Sequence, residues 1–285
     1  MPSRSRVTLS RPLAGLAAAV AFASVGLSSA PAGAASSAAG PDGGVIGAAL
    51  HSMSSPGRKG DSVIRLINWS GRPWVLYSNA SNGPESVKLT NSTRAVWIDD
   101  QGRLHLRIVN IDGVWRSVEL RSLNTVSYGT YQLINDTATA KFADQTVFGM
   151  FVYRPGTKTY TNEIDVENSR FPRYLKAPNN AQFAVQPYNA PHHEHAYAVR
   201  PSYVPLFQEF TWYPPVNGSG TVQFQTRVGT TPHSPLLTRW SYTGTSTPTD
   251  SNMYLYLDLW LNHGQAPSRG THSAVLRSLT FSPVS

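Results

Sequence analysis

Short runs of β-branched and aromatic residues recur along most of the chain, and this texture limits the fold more than any other feature. Glycine, proline, asparagine and aspartate separate the runs. No stretch has the 3.6-residue apolar period of a helix, and no internal repeat is visible. Such spacing predicts an all-β sandwich or jelly roll. The runs are 62–67, 74–77, 95–98, 104–109, 118–120, 129–134, 146–153, 182–186, 207–212, 221–226, 254–261 and 274–281.

One run, Glu163-Ile164-Asp165-Val166-Glu167, alternates three acids with two apolar β-branched residues. Because side chains alternate between the faces of a strand, Glu163, Asp165 and Glu167 share one face, and Ile164 and Val166 point to the core. A solvated face of an edge strand would explain such charge without any function. The alternative is a glycosidase site, since cleavage of a glycosidic bond requires a pair of carboxyl groups.

The spacing of the outer two acids constrains this alternative. In a flat strand, the Cα atoms of Glu163 and Glu167 would lie about 13 Å apart. The two carboxyl groups of a retaining glycosidase lie about 5–5.5 Å apart. Concave curvature and inward-leaning side chains would close the gap. Asp165 would hydrogen-bond one neighbour and separate the pKa values of the two glutamates.

The N-terminal segment has the composition of a secretory signal peptide. Three arginines precede an apolar run from Leu13 to Leu27, and Ala32-Gly33-Ala34 is a small-residue cleavage site. We expect a signal peptide at 1–34, a flexible lead-in at 35–60 and a single catalytic domain at 61–285. The mature protein is therefore expected to be secreted and extracellular.

Composition excludes several classes of function. The chain has no cysteine, so thiol catalysis and cysteine metal sites are excluded. The formal charge falls from +8 to +5 without the three signal-peptide arginines, and no Lys/Arg cluster indicates nucleic acid binding. No apolar run after the signal peptide is long enough to span a bilayer. We expect no nucleic acid partner, no membrane span and a monomer.

The segment His192-His193-Glu194-His195 is rich in side chains that can bind metals. It follows Pro187 and Pro191 and lacks the spacing of a helical zinc motif. We predict a surface loop here, with a position on the rim of a cleft as the alternative. The sequence indicates no metal site and no cofactor.

Motifs in a fixed order resemble glycoside hydrolase family 16, the family of lichenases, laminarinases, agarases and carrageenases. The acidic run is similar to the family's Glu-x-Asp-x-Glu motif, and the resemblance extends from Trp69 to Pro283. The other motifs that carry it are Gly102-Arg103-Leu104-His105-Leu106, Glu119-Leu120-Arg121-Ser122, Tyr128-Gly129-Thr130-Tyr131, Phe210-Thr211-Trp212, Leu257-Asp258-Leu259-Trp260-Leu261 and the closing run 274–281.

The resemblance implies a β-jelly-roll sandwich of two curved antiparallel sheets with a concave substrate cleft. It assigns Glu163 as nucleophile, Glu167 as general acid/base and Asp165 as assisting carboxylate in retaining hydrolysis. The resemblance assigns substrate binding to Glu119, Arg121, Phe151, Tyr153, Gln186, Asp258 and Trp260. For Glu119 and Arg121 the alternative is a surface ion pair, and for the three aromatic residues it is packing in the core.

We therefore expect a secreted retaining hydrolase of internal β-glycosidic bonds, acting on a polysaccharide. A β-glucan is the first expected substrate and a galactan the second. A lectin-like binding module without turnover and a transglycosylase are the alternatives. Some family members carry a structural calcium ion, but nothing in this sequence identifies one. Thr161 and Asp258 stand where lichenases have Trp and Asn, which argues against strict lichenase specificity.

Overall fold

The computed structural model describes residues 65–78, 87–155, 162–171, 175–268 and 270–284. The predicted signal peptide and lead-in lie outside these residues, as does Thr161. Within the described ranges the chain forms seventeen strands, two short 3-10 turns and no α-helix. None of the described segments is a helix long and apolar enough to cross a membrane.

The strands follow one another with short connections. In chain order they are β1 (Arg65–Trp69), β2 (Arg72–Leu76), β3 (Val96–Ile98), β4 (Leu104–Arg107), β5 (Val109–Ile111), β6 (Val114–Arg116), β7 (Val118–Ser122), β8 (Gly129–Asn135), β9 (Thr146–Tyr153), β10 (Glu163–Asn168), β11 (Ala181–Val185), β12 (Glu194–Tyr197), β13 (Leu206–Val216), β14 (Ser219–Val228), β15 (Leu236–Gly244), β16 (Tyr254–Leu261) and β17 (Ser273–Pro283). The 3-10 turns are Thr139–Lys141 and Asn262–Gly264.

Two antiparallel sheets make up the sandwich, as the sequence predicts. The first has eight strands in the order β1-β2-β7-β16-β9-β10-β11-β12. The second has seven strands in the order β15-β14-β13-β8-β17-β4-β3, and β5 and β6 form a small separate ribbon. Neighbours in the sheets are often distant in sequence, which is typical of a jelly roll.

The core lies between the two large sheets. Ile164 and Val166 of β10 are 0% and 1% exposed and belong to this core. Phe183 of β11 stacks on Phe224 of β14 with ring centroids 5.0 Å apart, which is a direct contact between the sheets. Because side chains alternate along a strand, burial of Ile164 and Val166 turns the acids of β10 to the outer face of the eight-stranded sheet.

The predicted loop at His192–His195 is wrong for its second half, because Glu194 and His195 begin β12, the edge strand of the eight-stranded sheet. β12 has four residues and, as an edge strand, pairs on one side only. Its pairing with β11, rather than local propensity, therefore makes this segment a strand. β15 was not predicted either, although Thr238, Trp240 and Tyr242 alternate there with polar residues.

Two of the three histidines of this segment, His193 and His195, join the edges of the two sheets. His195 Nε2 lies 2.8 Å from Thr238 Oγ1 on β15. His193 Nδ1 lies 2.9 Å from the carbonyl oxygen of Val185, so this nitrogen carries the proton and donates it. His193 Nε2 is then an acceptor for the Tyr242 hydroxyl, 3.1 Å away. The role of this segment is therefore to connect strands.

Candidate active site

Strand register aligns the acids of β10 with side chains of the neighbouring strands in cross-strand rows. In the first row, Glu167 lies opposite Gln182 on one side and Gly149 on the other. Gly149 lies opposite Asp258, which in turn lies opposite Glu119. Three carboxyl groups therefore occupy one row across β10, β16 and β7, with a glycine between the first two.

The next rows are built in the same way. Asp165 lies opposite Phe151, and Phe151 opposite Tyr256. Tyr256 lies opposite Arg121. Glu163 begins a third row beside Tyr153. Successive rows differ by two residues on each strand, so all of these side chains lie on the same outer face.

The structure thus brings most of the predicted residues together on one face of the sheet. We call this surface the acidic face and define it by Glu119, Arg121, Phe151, Tyr153, Glu163, Asp165, Glu167, Gln182, Asp258 and Tyr256. Gln182 and Tyr256 are not among the residues that the sequence predicts for the site. Tyr256 lies two residues before Asp258, so alternation along β16 was the signal that places it on the same face. Gln182 lies opposite Glu167 only through the register of β11 with β10.

Trp260 has a different environment from the other predicted residues. It lies two residues beyond Asp258 but packs with Val87, Leu89, Phe171 and Leu175 in a small apolar cluster, and it is 5% exposed. The prediction that Trp260 binds sugar therefore competes with a packing role, which was the alternative. Phe151 and Tyr153 pack with Tyr256 in a cluster of their own on the acidic face.

The acids differ in their access to solvent. Glu163 is 6% exposed, Asp165 3% and Asp258 2%. Glu167 alone among the three acids of β10 is partly exposed. Glu163 and Asp165 therefore lie at the bottom of the site, and Glu167 lies where water reaches it.

Hydrogen bonds divide the three acids of β10 into a pair and a single group. The carboxyl groups of Glu163 and Asp165 are hydrogen-bonded to each other. Gln186 Nε2 donates to Asp165 Oδ2 at 3.1 Å, and its own Oε1 accepts from the backbone N–H of Tyr188. Gln186 therefore contacts the carboxyl group of Asp165, whereas the sequence predicts a contact with sugar.

Burial determines the protonation of the acidic face. It raises the pKa of Glu163 and that of Glu167 to about 8, and like charges nearby add to the effect. It also raises the pKa of Asp165 and Asp258 well above their usual range. Like charges this close cannot all ionise, so several of these groups hold protons at neutral pH.

The pair at the bottom of the site shares its proton unequally. Its mutual hydrogen bond lowers the pKa of Glu163 and raises that of Asp165. Within the pair, this hydrogen bond favours the proton on Asp165 and the charge on Glu163, while burial of Glu163 acts in the opposite direction. A nucleophilic Glu163 needs the carboxylate form, which is the form that the hydrogen bond favours.

Arg121 is the cation of the acidic face. Its guanidinium group lies 4.5 Å from the ring centroid of Tyr254 and 5.5 Å from that of Tyr77, which are cation–π contacts. Burial raises the pKa of Glu119 to about 8, and Arg121 opposes that shift. These interactions hold Arg121 along the sheet beside Glu119.

Several buried polar atoms here have no partner among the described residues. They are Glu119 Oε2, Arg121 Nε and Asp258 Oδ1. Buried polar groups in native proteins are almost always hydrogen-bonded, so unpaired ones at one place indicate a ligand site. Sugar hydroxyls can both donate and accept at such atoms. Within the described part of the chain, no three acidic or histidine side chains are arranged to hold a metal ion.

Comparison with known proteins identifies the fold. No family model and no curated protein sequence matches the chain. The β-glucanase of Bacillus licheniformis, 18% identical, matches with a TM-score of 0.52 over 80% of this chain and 100% of that chain. An immunostimulatory antigen and pseudo β-1,3-glucanase of Mycobacterium tuberculosis, 12% identical, matches with a TM-score of 0.53 over 74% of this chain and 91% of that one.

A glycoside hydrolase family protein of Mycobacterium thermorestibile matches as well, with 11% identity, a TM-score of 0.50, and coverage of 73% of this chain and 92% of that chain. At such low identity these matches establish the fold. The jelly-roll sandwich that the resemblance to glycoside hydrolase family 16 implies is therefore confirmed.

Proposed function

We propose that the protein is a retaining glycoside hydrolase that cleaves internal β-glycosidic bonds of a neutral polysaccharide, with a β-glucan as the first candidate and a galactan as the second. The observation that carries the proposal is the placement of the three acids of β10 on one outer face of the sheet, with different partners. Glu163 is buried and hydrogen-bonded to Asp165, whereas Glu167 is partly exposed and accepts a hydrogen bond from Gln182. We also propose that the mature protein acts outside the cell.

The two glutamates take complementary roles in this reaction. Glu163, as carboxylate, attacks the anomeric carbon, and Glu167, as neutral acid, protonates the departing oxygen. The sugar is then esterified to Glu163. Glu167, now a carboxylate, takes a proton from the water that hydrolyses this ester and is restored. Partial exposure of Glu167 is consistent with the entry of that water.

The charge of the acidic face favours uncharged sugars. Five carboxyl groups face one arginine there. A uronate or a sulfate would bring a negative charge into a buried site where the raised pKa values of the carboxyl groups indicate that negative charge is unfavourable. Sugar hydroxyls carry no such cost and can pair with Glu119 Oε2 and Asp258 Oδ1, which lack partners among the described residues.

We therefore expect the protein, isolated from culture medium, to release reducing ends from mixed-linkage β-glucan, laminarin or agarose. Release from alginate and from carrageenan is expected to be at least about 100-fold lower, because placing their negative charges in the buried site is unfavourable. The Glu163→Gln variant, assayed in parallel, controls for contaminating hydrolases. Equal release by wild type and variant on every polysaccharide would refute the proposal.

A lectin-like module is the second candidate. One of the structures that share the fold is described as a pseudo β-1,3-glucanase, so the fold does not by itself guarantee turnover. In that case the wild type and the Glu163→Gln variant would bind the neutral polysaccharide equally and neither would release sugar. Lengthened products in the presence of added oligosaccharide would instead identify a transglycosylase.

A further inference from the structure

Gln182 holds the carboxyl group of Glu167 from the neighbouring strand. The two residues are direct cross-strand partners of β11 and β10. Gln182 Nε2 lies 2.6 Å from Glu167 Oε2, and Gln182 is 8% exposed. On its other side Gln182 lies opposite Ala196, which has no polar side-chain atom to compete for the amide. The side-chain amide of Gln182 therefore donates its hydrogen bond to Glu167 without competition from its other cross-strand neighbour.

The amide also distinguishes the two oxygens of Glu167. In a neutral carboxyl group the carbonyl oxygen is a better acceptor than the hydroxyl oxygen, so an N–H group that donates to Oε2 favours the proton on Oε1. A neutral Glu167 therefore carries its proton on Oε1. The terminal torsion of a glutamate side chain is broad when nothing restrains it, so without the amide the carboxyl group would turn.

We propose that Gln182 is a positioning residue that fixes the rotation of the Glu167 carboxyl group and reserves Oε1 for proton transfer. The inference rests on the proposed hydrolase function for its kinetic consequences. In both half-reactions the N–H of Gln182 stays on Oε2. Oε1 first loses its proton to the departing glycosidic oxygen and later receives one from the attacking water.

The acidic groups around Glu167 raise its pKa, whereas the hydrogen bond from Gln182 lowers it. Asp165 lies on the same strand as Glu167, and Glu194 lies on β12. Both raise the pKa of Glu167. Asp258 faces it from β16 across Gly149, and Glu163 interacts with it along β10. The hydrogen bond from Gln182 favours the ionised form and lowers the pKa of Glu167.

Glycine at position 149 keeps this arrangement in place. A Cβ atom there would lie 2.6 Å from Asp258 Oδ1, so any larger residue would displace that carboxyl group. Asp258 thus fills the space on the β9 side of Glu167, while Gln182 holds it on the β11 side.

The test is the Gln182→Leu variant, which removes the donor and keeps a side chain of similar size. We expect kcat to fall by about 10- to 100-fold with KM changed less than about twofold, because proton transfer loses its geometry and sugar contacts remain. We expect the alkaline limb of the kcat/KM profile to move up by about one pH unit. A merely structural role would lower the folded fraction and leave the limb in place.

The chain provides a matched control on its other large sheet. Gln132 Nε2 donates to Glu209 Oε2 at 2.7 Å, a similar cross-strand pair on β8 and β13. Gln132→Leu is expected to leave kcat, KM and both limbs of the profile at wild-type values. If it reproduces the Gln182→Leu profile, the effect is not specific to Glu167 and the inference is wrong.

A second readout does not need activity. Titration of Glu167, followed by 13C NMR of labelled glutamate carboxyl groups and assigned with Glu167→Gln, is expected to show a higher pKa in Gln182→Leu than in wild type. An unchanged titration would overturn the inference. If the wild type hydrolyses no polysaccharide, the proposed function fails, and this titration still decides whether Gln182 controls Glu167.

Discussion

Replacing Glu163 with alanine is expected to lower kcat/KM on a neutral polysaccharide by about 10⁴-fold or more, because the proposed nucleophile is lost. No neighbour can substitute for it. Asp165 is held by Gln186 and is 3% exposed, and Glu167 is the proton donor in the proposed mechanism. Initial rates of reducing-end release measure the loss.

Azide provides the diagnostic control for this prediction. A small anion can occupy the space that the missing carboxylate leaves, attack from the same side and yield a glycosyl azide of inverted configuration. We expect such rescue in Glu163→Ala. Glu167→Ala, the paired variant, is expected to keep its first step on an aryl glycoside with a good leaving group, because that step needs little acid catalysis. Activity of Glu163→Ala within about tenfold of wild type would contradict the assignment.

The fold should survive this change. Glu163 lies on the outer face of β10, whereas Ile164 and Val166 make the core contacts of that strand. Thermal unfolding of the variant near the wild-type temperature would show that the loss is chemical.

The second large effect concerns stability. Asp258→Asn is expected to raise the free energy of unfolding, and by about 1–3 kcal/mol more at pH 9 than at pH 5. Asp258 is 2% exposed and shares a row with Glu119 and Glu167. Its ionisation in the folded state therefore places a charge among other acids without a cation in the row.

The sign follows from proton binding. The folded state raises the pKa of Asp258 above its usual value, so between those two values the folded state binds more protons than the unfolded state. Stability therefore falls as pH rises through this window. Asparagine removes the ionisation and with it this loss, so the gain begins above the usual pKa of an aspartate, about 4, and grows as pH rises through the window.

Urea denaturation at pH 5 and pH 9 measures the difference. Asp112→Asn is a suitable control, since Asp112 is exposed in the β5–β6 turn at φ 52°, a conformation that asparagine also accepts. It should have little effect at either pH. A gain from Asp258→Asn of equal size at both pH values, or a loss at pH 9, would contradict the burial argument.

Much of the fold and half of the site follow from local pattern. The bounds of β9 and β16 agree with the predicted runs, and alternation alone places Glu163, Asp165 and Glu167 on one face. These features depend on a two-residue period of apolar and polar residues, which is visible in the sequence of each strand. The same reasoning pairs Glu119 with Arg121 on one face of β7.

What sequence pattern could not supply is the register between strands distant in the chain. Gln182 lies opposite Glu167 only because β11 pairs with β10 in one alignment. Tyr256 shares a cross-strand row with Asp165 because β9 pairs with both β10 and β16. A slip of one residue would turn every one of these side chains to the other face. For the same reason the edge strand β12 was predicted as a loop.

The stereochemistry of the first product tests the central claim most directly. We predict that 1H NMR, recorded in the first minutes of hydrolysis of a β-linked oligosaccharide, shows the β-anomer before mutarotation, because two displacements at the anomeric carbon restore its configuration. Initial appearance of the α-anomer would mean direct attack by water. It would contradict the account of Glu163 as a nucleophile.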